Sequence, residues 1–247
     1  MRGIQSIAFL AGALFLGCAS HTKLLAEDQQ TIQSTYRSKA VYLKQSFFVG
    51  PFYAYDDRYY ISERAFDERI LIETPAGVPI LPCEPIGLLP LGTRLKVRDI
   101  EFPTSFEISK RMLRSPRHFT WVLLEADGQP KQKPYVLVMT QEFKTLSEVR
   151  AALDAYLGAD DPRPALRLSA DDQGAIDRKT VVKGMSAAAL NRSRGQPDKI
   201  TRRYTEGVKT EQWQYSPQRW VVLKEDKIDS WQGFPALALE TFKPSVQ

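Results

Sequence analysis

Few side chains in this 247-residue chain can do covalent or proton chemistry: it has two cysteines, Cys18 and Cys83, and two histidines, His21 and His118. A cysteine nucleophile needs a neighbouring base or cation to form thiolate. Cys83 lies in the proline-bracketed run Leu81-Pro82-Cys83-Glu84-Pro85, and His118 is far along the sequence, so a small buried hydrophobe is the favoured reading of Cys83. The adjacent carboxylates Asp56-Asp57, Asp160-Asp161 and Asp171-Asp172 sit in polar settings, which suit caps and turns better than a buried general acid. There is no Ser/His/Asp set with plausible reach, no Cys/His spacing for a metal and no phosphate-cradling glycine loop. The expectation is therefore no catalytic residue, no metal, no cofactor, and not an enzyme. What remains is basic: Arg111, Arg114 and Arg117 in the run RMLRSPR offer guanidinium forks for phosphate or carboxylate, with an exposed loop rim as the plainer reading.

Cys18 closes a different pattern. Arg2 precedes a largely apolar stretch of thirteen residues, 4–16, and then Gly17. That stretch is too short to span a bilayer, which takes about 20 apolar residues, and its n-region, h-region and small residue read as an export signal. Phe15-Leu16-Gly17-Cys18 resembles the lipobox of bacterial lipoproteins. The resemblance implies that residues 1–17 are a signal peptide and that Cys18 becomes the mature N-terminus, carrying a diacylglycerol thioether and an amide-linked acyl chain. Two or three such chains make attachment effectively permanent. Ala19, where aspartate would be similar to an inner-membrane retention signal, implies the periplasmic side of the outer membrane.

A formal charge of +5 spread over many positions suggests a solvated surface with some affinity for anionic lipid or polysaccharide rather than nucleic-acid binding. With Cys18 lipidated, Cys83 has no intramolecular partner, so stability must come from packing.

Four segments are expected to follow the signal. Residues 18–35, polar and without glycine or proline, read as the lipidated cysteine and a tether, with a short amphipathic helix as the competing view. Residues 36–158 are dense in aromatic and β-branched residues broken by turn formers, the pattern of a mostly antiparallel β domain. Its many rings favour a core and girdle over a carbohydrate-stacking face. Thr145-Leu146-Ser147-Glu148 then opens a capping box for a terminal helix. Within this region Pro90-Leu91-Gly92-Thr93, leading into Arg94-Leu95-Lys96-Val97, is similar to the turn entering a strand in bacterial SH3-like barrels. Residues 159–170, with two prolines, read as a linker.

In residues 171–247 a first helix over 171–180 is broken at Gly184. Ser186 then caps a second helix ended by Gly195 and Pro197, and four period-two strands follow over 201–204, 210–215, 219–223 and 227–231. Val182-Lys183-Gly184-Met185-Ser186, Arg194-Gly195-Gln196-Pro197-Asp198 and Glu211-Gln212-Trp213-Gln214-Tyr215, in that order, resemble the BamE (SmpA/OmlA) family of outer-membrane lipoprotein domains. The resemblance implies an α+β chain whose C-terminal domain is a helix-helix-antiparallel-sheet unit, with Gly184, Met185, Gly195, Pro197, Trp213 and Tyr215 as its structural motif residues. It implies a non-catalytic assembly or scaffolding factor at the cell envelope, with outer-membrane barrel-assembly proteins as partners. An envelope glycan-binding module, taking peptidoglycan or lipopolysaccharide on the ring-rich region and the arginine run, is the alternative.

Overall fold

The computed structural model describes residues 24–52, 55–68, 72–80, 84–103, 119–126, 132–235 and 237–243. The described residues form an α+β molecule whose strands fall into three sheets. Its N-terminal unit contains helix α1 (Ala26–Tyr36) and strands β1 (Ala40–Leu43), β2 (Phe47–Phe52), β3 (Tyr55–Ser62), β4 (Ile72–Glu73), β5 (Pro79–Ile80), β6 (Gly87–Leu89), β7 (Arg94–Glu101), β8 (Thr120–Ala126) and β9 (Tyr135–Met139), then helix α2 (Leu146–Tyr156) and strand β10 (Leu157–Gly158).

Eight of these strands form one sheet in the order β10-β1-β7-β8-β9-β3-β2-β6. Every neighbouring pair is antiparallel except β3 and β9. Residues 44–46 join β1, second in that order, to β2, seventh. So short a link requires the sheet to curl. Next to the β1–β7 pairing Leu43 N–H donates to Thr93 O at 3.0 Å and Gly92 N–H to Leu43 O at 2.8 Å, carrying it past Tyr42 and Arg94. The turn that enters β7 is built by its own residues. Thr93 Oγ1 donates to Pro90 O at 2.7 Å, and Gly92 adopts φ +78° where a Cβ would fall 2.6 Å from Arg163 Nε, so only glycine fits.

Both faces of the curled sheet are buried. One packs Val41, Leu43, Phe47, Leu95, Val97 and Leu124 against Ile32 of α1 and Val149 and Leu153 of α2. The other packs Phe48, Tyr60, Trp121 and Val136 under Phe66 and the β4–β5 hairpin. Two-sided burial explains the unbroken apolar runs of β8 and β9. In β7 the side chains alternate, and a bulge between Val97 and Asp99 resets the phase so that Ile100 still points inward.

The expected tether is different from Ala26 onward. Those residues form α1, with Glu27 and Asp28 in its first turn, where acids suit the helix dipole. Gln33 Nε2 fixes α1 to Ile100 O at 2.8 Å, and Leu24 and Ile32 are buried in the core. The expected linker is also structured: α3 (Arg163–Leu166) lies within it, held by Arg163–Asp161 contacts beside Gly92.

The C-terminal unit comprises α4 (Ala170–Asp177), α5 (Ala187–Arg194), β11 (Lys199–Thr205), β12 (Val208–Ser216), β13 (Arg219–Lys224) and β14 (Lys227–Gln232), with the four strands antiparallel in sequence order. Ser169 and Ser186 cap the two helices by accepting from Asp172 N–H and Ala189 N–H. Met185, Ala189, Leu190, Trp213, Tyr215, Val221 and Leu223 form the core between helices and sheet. Gly184 does not end the first helix. That helix stops at Asp177, with Lys179 in the left-handed region at φ +49° and Thr180 N–H donating to Ala175 O. Gly184, at φ +81°, instead lays the chain along β14, where Gly184 N–H donates to Ile228 O and Ile228 N–H to Met185 O. The opposite face of the sheet carries Thr201, Gln212, Val222 and Ser230 in register, half-buried or exposed. No helix among the described residues is long and apolar enough to cross a membrane.

Candidate functional site at the seam between the units

The two units meet along a seam of cations. Lys179 is its centre: the side chain is buried, and Nζ donates to Ser46 O and Glu63 O, each at 2.8 Å, and to Ser193 O. Two of these carbonyls belong to the N-terminal unit and one to α5. Burial, together with the nearby Arg194 cation, pushes the Lys179 pKa well below the ordinary lysine range, while Glu63 and Glu68 oppose the shift. Three carbonyl acceptors are satisfied in full only by an ammonium with three protons. Glycine is the usual residue at the left-handed position just past a helix end. Lysine stands there because its side chain is needed at the seam.

Three arginines extend the clamp. Arg64 forms an ion pair with Asp198 at 2.7 Å and donates to Gln196 O at 2.7 Å. Arg192 Nη1 donates to Lys44 O at 3.0 Å, and Ser46 N–H returns a bond to Arg192 O. Arg219 of β13 reaches Asp67 at 2.6 Å and Glu68 at 2.5 Å. Its hydrogen bond holds the Asp67 carboxyl below the usual carboxylate range, whereas burial raises Glu68 against the same arginine.

Above the clamp lies a cleft of about 340 Å³. Amide-bearing residues line it from both units, Gln45, Gln141, Asn191 and Gln196, together with Tyr156. Gln45 is only 7 % exposed and lines the cavity. Glu63, Arg64, Arg192 and Asp198 complete the lining. Such a surface can hold a neutral, hydroxyl- or amide-rich ligand through paired donors and acceptors.

Of the motif residues expected from the sequence, the structure brings Met185, Trp213 and Tyr215 into the C-terminal core. Trp213 Nε1 donates to Glu211 at 2.8 Å, and Tyr215 OH donates to Gly195 O at 3.3 Å. Gly195 takes φ 76°, ψ −170°, a region open essentially to glycine alone, and a Cβ there would fall 2.8 Å from Glu63 Cγ across the seam. Pro197 follows, half-buried. Cys18, Cys83, His118, Arg111, Arg114 and Arg117 lie outside the described residues. The seam cations were not anticipated. Arg192 and Arg194 in the sequence look only like cations suited to a helix C-terminus, and Lys179 carries no pattern at all. No group of three or more His, Cys, Asp or Glu among the described residues is placed to hold a metal. No protein-family model, no curated protein and no solved structure matches this chain.

Proposed function

We propose that the chain is a lipid-anchored outer-membrane protein facing the periplasm, held by Cys18, and that it acts as a non-catalytic assembly or scaffolding factor of the envelope, with outer-membrane barrel-assembly proteins as partners. The observation that carries this reading is the seam: two units clamped by Lys179, Arg64 and Arg219 present the uncovered face of the β11–β14 sheet in a fixed orientation. A rigid platform on a membrane anchor is suited to holding other proteins. The helix-helix-sheet order of the C-terminal unit supports a BamE-like plan, and the curled sheet with the Pro90–Thr93 turn entering β7 supports an SH3-like barrel reading. Affinity purification of the anchored protein from detergent-solubilised outer membranes, with Cys18→Ala as control, tests the reading. Barrel-assembly proteins should co-purify with the anchored form alone; their absence from both forms contradicts it.

The amide-lined cleft supports a second reading, an envelope glycan-binding module for peptidoglycan or lipopolysaccharide. On that reading the protein sediments with peptidoglycan or retains lipopolysaccharide, and Gln45→Ala with Asn191→Ala abolishes the effect. Neither behaviour in the parent protein would dispose of it.

A further inference from the structure

A second, smaller cleft lies on the other side of the seam, with a volume of about 180 Å³. That is below the ~300–1,000 Å³ of sites for drug-sized ligands, so it suits a single small group. Phe66, Pro85, Phe234 and Pro235 make its walls, and Arg194 lines it from α5. Arg194 is 6 % exposed, and its Nε is sealed from solvent with no hydrogen-bond acceptor among the described residues. The guanidinium sits 5.0 Å from the Phe234 ring centroid and 5.9 Å from that of Phe48. The Phe48 ring also faces Lys179 Nζ at 4.8 Å, so one aromatic ring is shared by two buried cations.

The nearby acids do not meet this arginine's need. Asp67 and Glu68 are both hydrogen-bonded to Arg219, and although Glu68 attracts Arg194 through space, burial still lowers the Arg194 pKa to about 10. Glu84 lies exposed in the lining. An almost wholly buried guanidinium whose Nε has no acceptor among the described residues, in the lining of a ring- and proline-walled cleft, is half of an ion pair.

We infer that this cleft is a binding site for a small organic anion, one carboxylate or phosphate head received by Arg194 with an apolar body against Phe66 and Phe234. The site shares Asp67 and Arg219 of the clamp in its lining, but it does not depend on what the clamped units or the amide-lined cleft bind. The Arg194 side chain supplies the charge and direction, the rings supply shape, and Glu84 sets a repulsive limit on how tightly the anion is held.

The test uses the full chain in detergent, labelled with ¹⁵N at arginine, with the Nε–Hε resonance of Arg194 assigned through Arg194→Lys. Benzoate and phenyl phosphate are the probes, and benzamide is the uncharged control. Expected is a saturable downfield shift of the Arg194 resonance with benzoate, phenyl phosphate or both, the stronger of the two identifying the head group, and little response to benzamide. Removing one surface charge near the site by Glu84→Gln should tighten the effective probe roughly threefold without disturbing the fold. An Arg194 resonance that neither anion moves, an equal response to benzamide, or an affinity indifferent to Glu84→Gln would each overturn the assignment.

Discussion

The cores of the two units and the seam between them rest on opposite physics. In the cores, stabilisation is apolar and shared among many residues, as in the layer of Phe48, Tyr60 and Trp121 or that of Met185, Trp213 and Val221. No single contact decides whether such a core forms. At the seam, few residues act, and each is a cation with fixed partners: Lys179 on three carbonyls, Arg219 on two carboxylates, Arg64 on Asp198. Apolar burial folds each unit without dictating how one sits on the other, whereas directed hydrogen bonds fix an orientation. The difference implies that core changes weaken a unit while seam changes uncouple the two.

The largest effect should come from Lys179→Met. The replacement keeps the stem but leaves three buried carbonyls without donors, at about 1–3 kcal/mol for each orphaned group, so a loss of about 4–6 kcal/mol is expected in urea unfolding. Trp213→Ala strikes the contrasting region. Removing a buried tryptophan costs about 3–5 kcal/mol and should lower the stability of the C-terminal unit while leaving the seam bonds of Lys179 in place. Gly195→Ala falls between the two regions. It combines a glycine-only backbone region with a close approach to Glu63, and a loss of about 2–4 kcal/mol follows. Arg219→Ala leaves Glu68, only 8 % exposed at its side chain, without its partner, and a loss of about 1–3 kcal/mol is expected.

The last effect is a pH dependence. The folded-state pKa of Lys179 is depressed by burial and by the Arg194 cation, so as pH rises toward the ordinary lysine value the folded chain gives up this proton before the unfolded chain does. Stability therefore rises with pH across that window. Lys179→Met should flatten this rise in unfolding curves taken on the alkaline side up to pH ~9.5, below the range in which tyrosines ionise.

The same contrast explains what was legible in the sequence. The C-terminal elements were readable because caps and periodicity are local: Ser186 bonds the N–H three residues ahead, and Gly195 sits directly at the helix end. The cap at Thr145 was visible for the same reason. Other features required partners distant in sequence. Helix α1 has few apolar residues and docks because Ile32 finds the core of the curled sheet and Gln33 finds Ile100. Lys179 meets carbonyls 116 and 133 residues away, and neither its type nor its neighbours announces this. The amide cleft is likewise a product of docking, since Gln45 and Asn191 belong to different units.

Native-state hydrogen exchange tests the coupling of the units most directly, by following the amides of Val122 and Leu137 in the N-terminal sheet and of Val221 and Leu223 in the C-terminal sheet. If the seam joins the units into one cooperative body, all four open with the same free energy to within about 1 kcal/mol in the parent protein, and Lys179→Met splits them into two groups. A parent protein whose C-terminal amides already exchange through a separate, lower-energy opening would contradict the account.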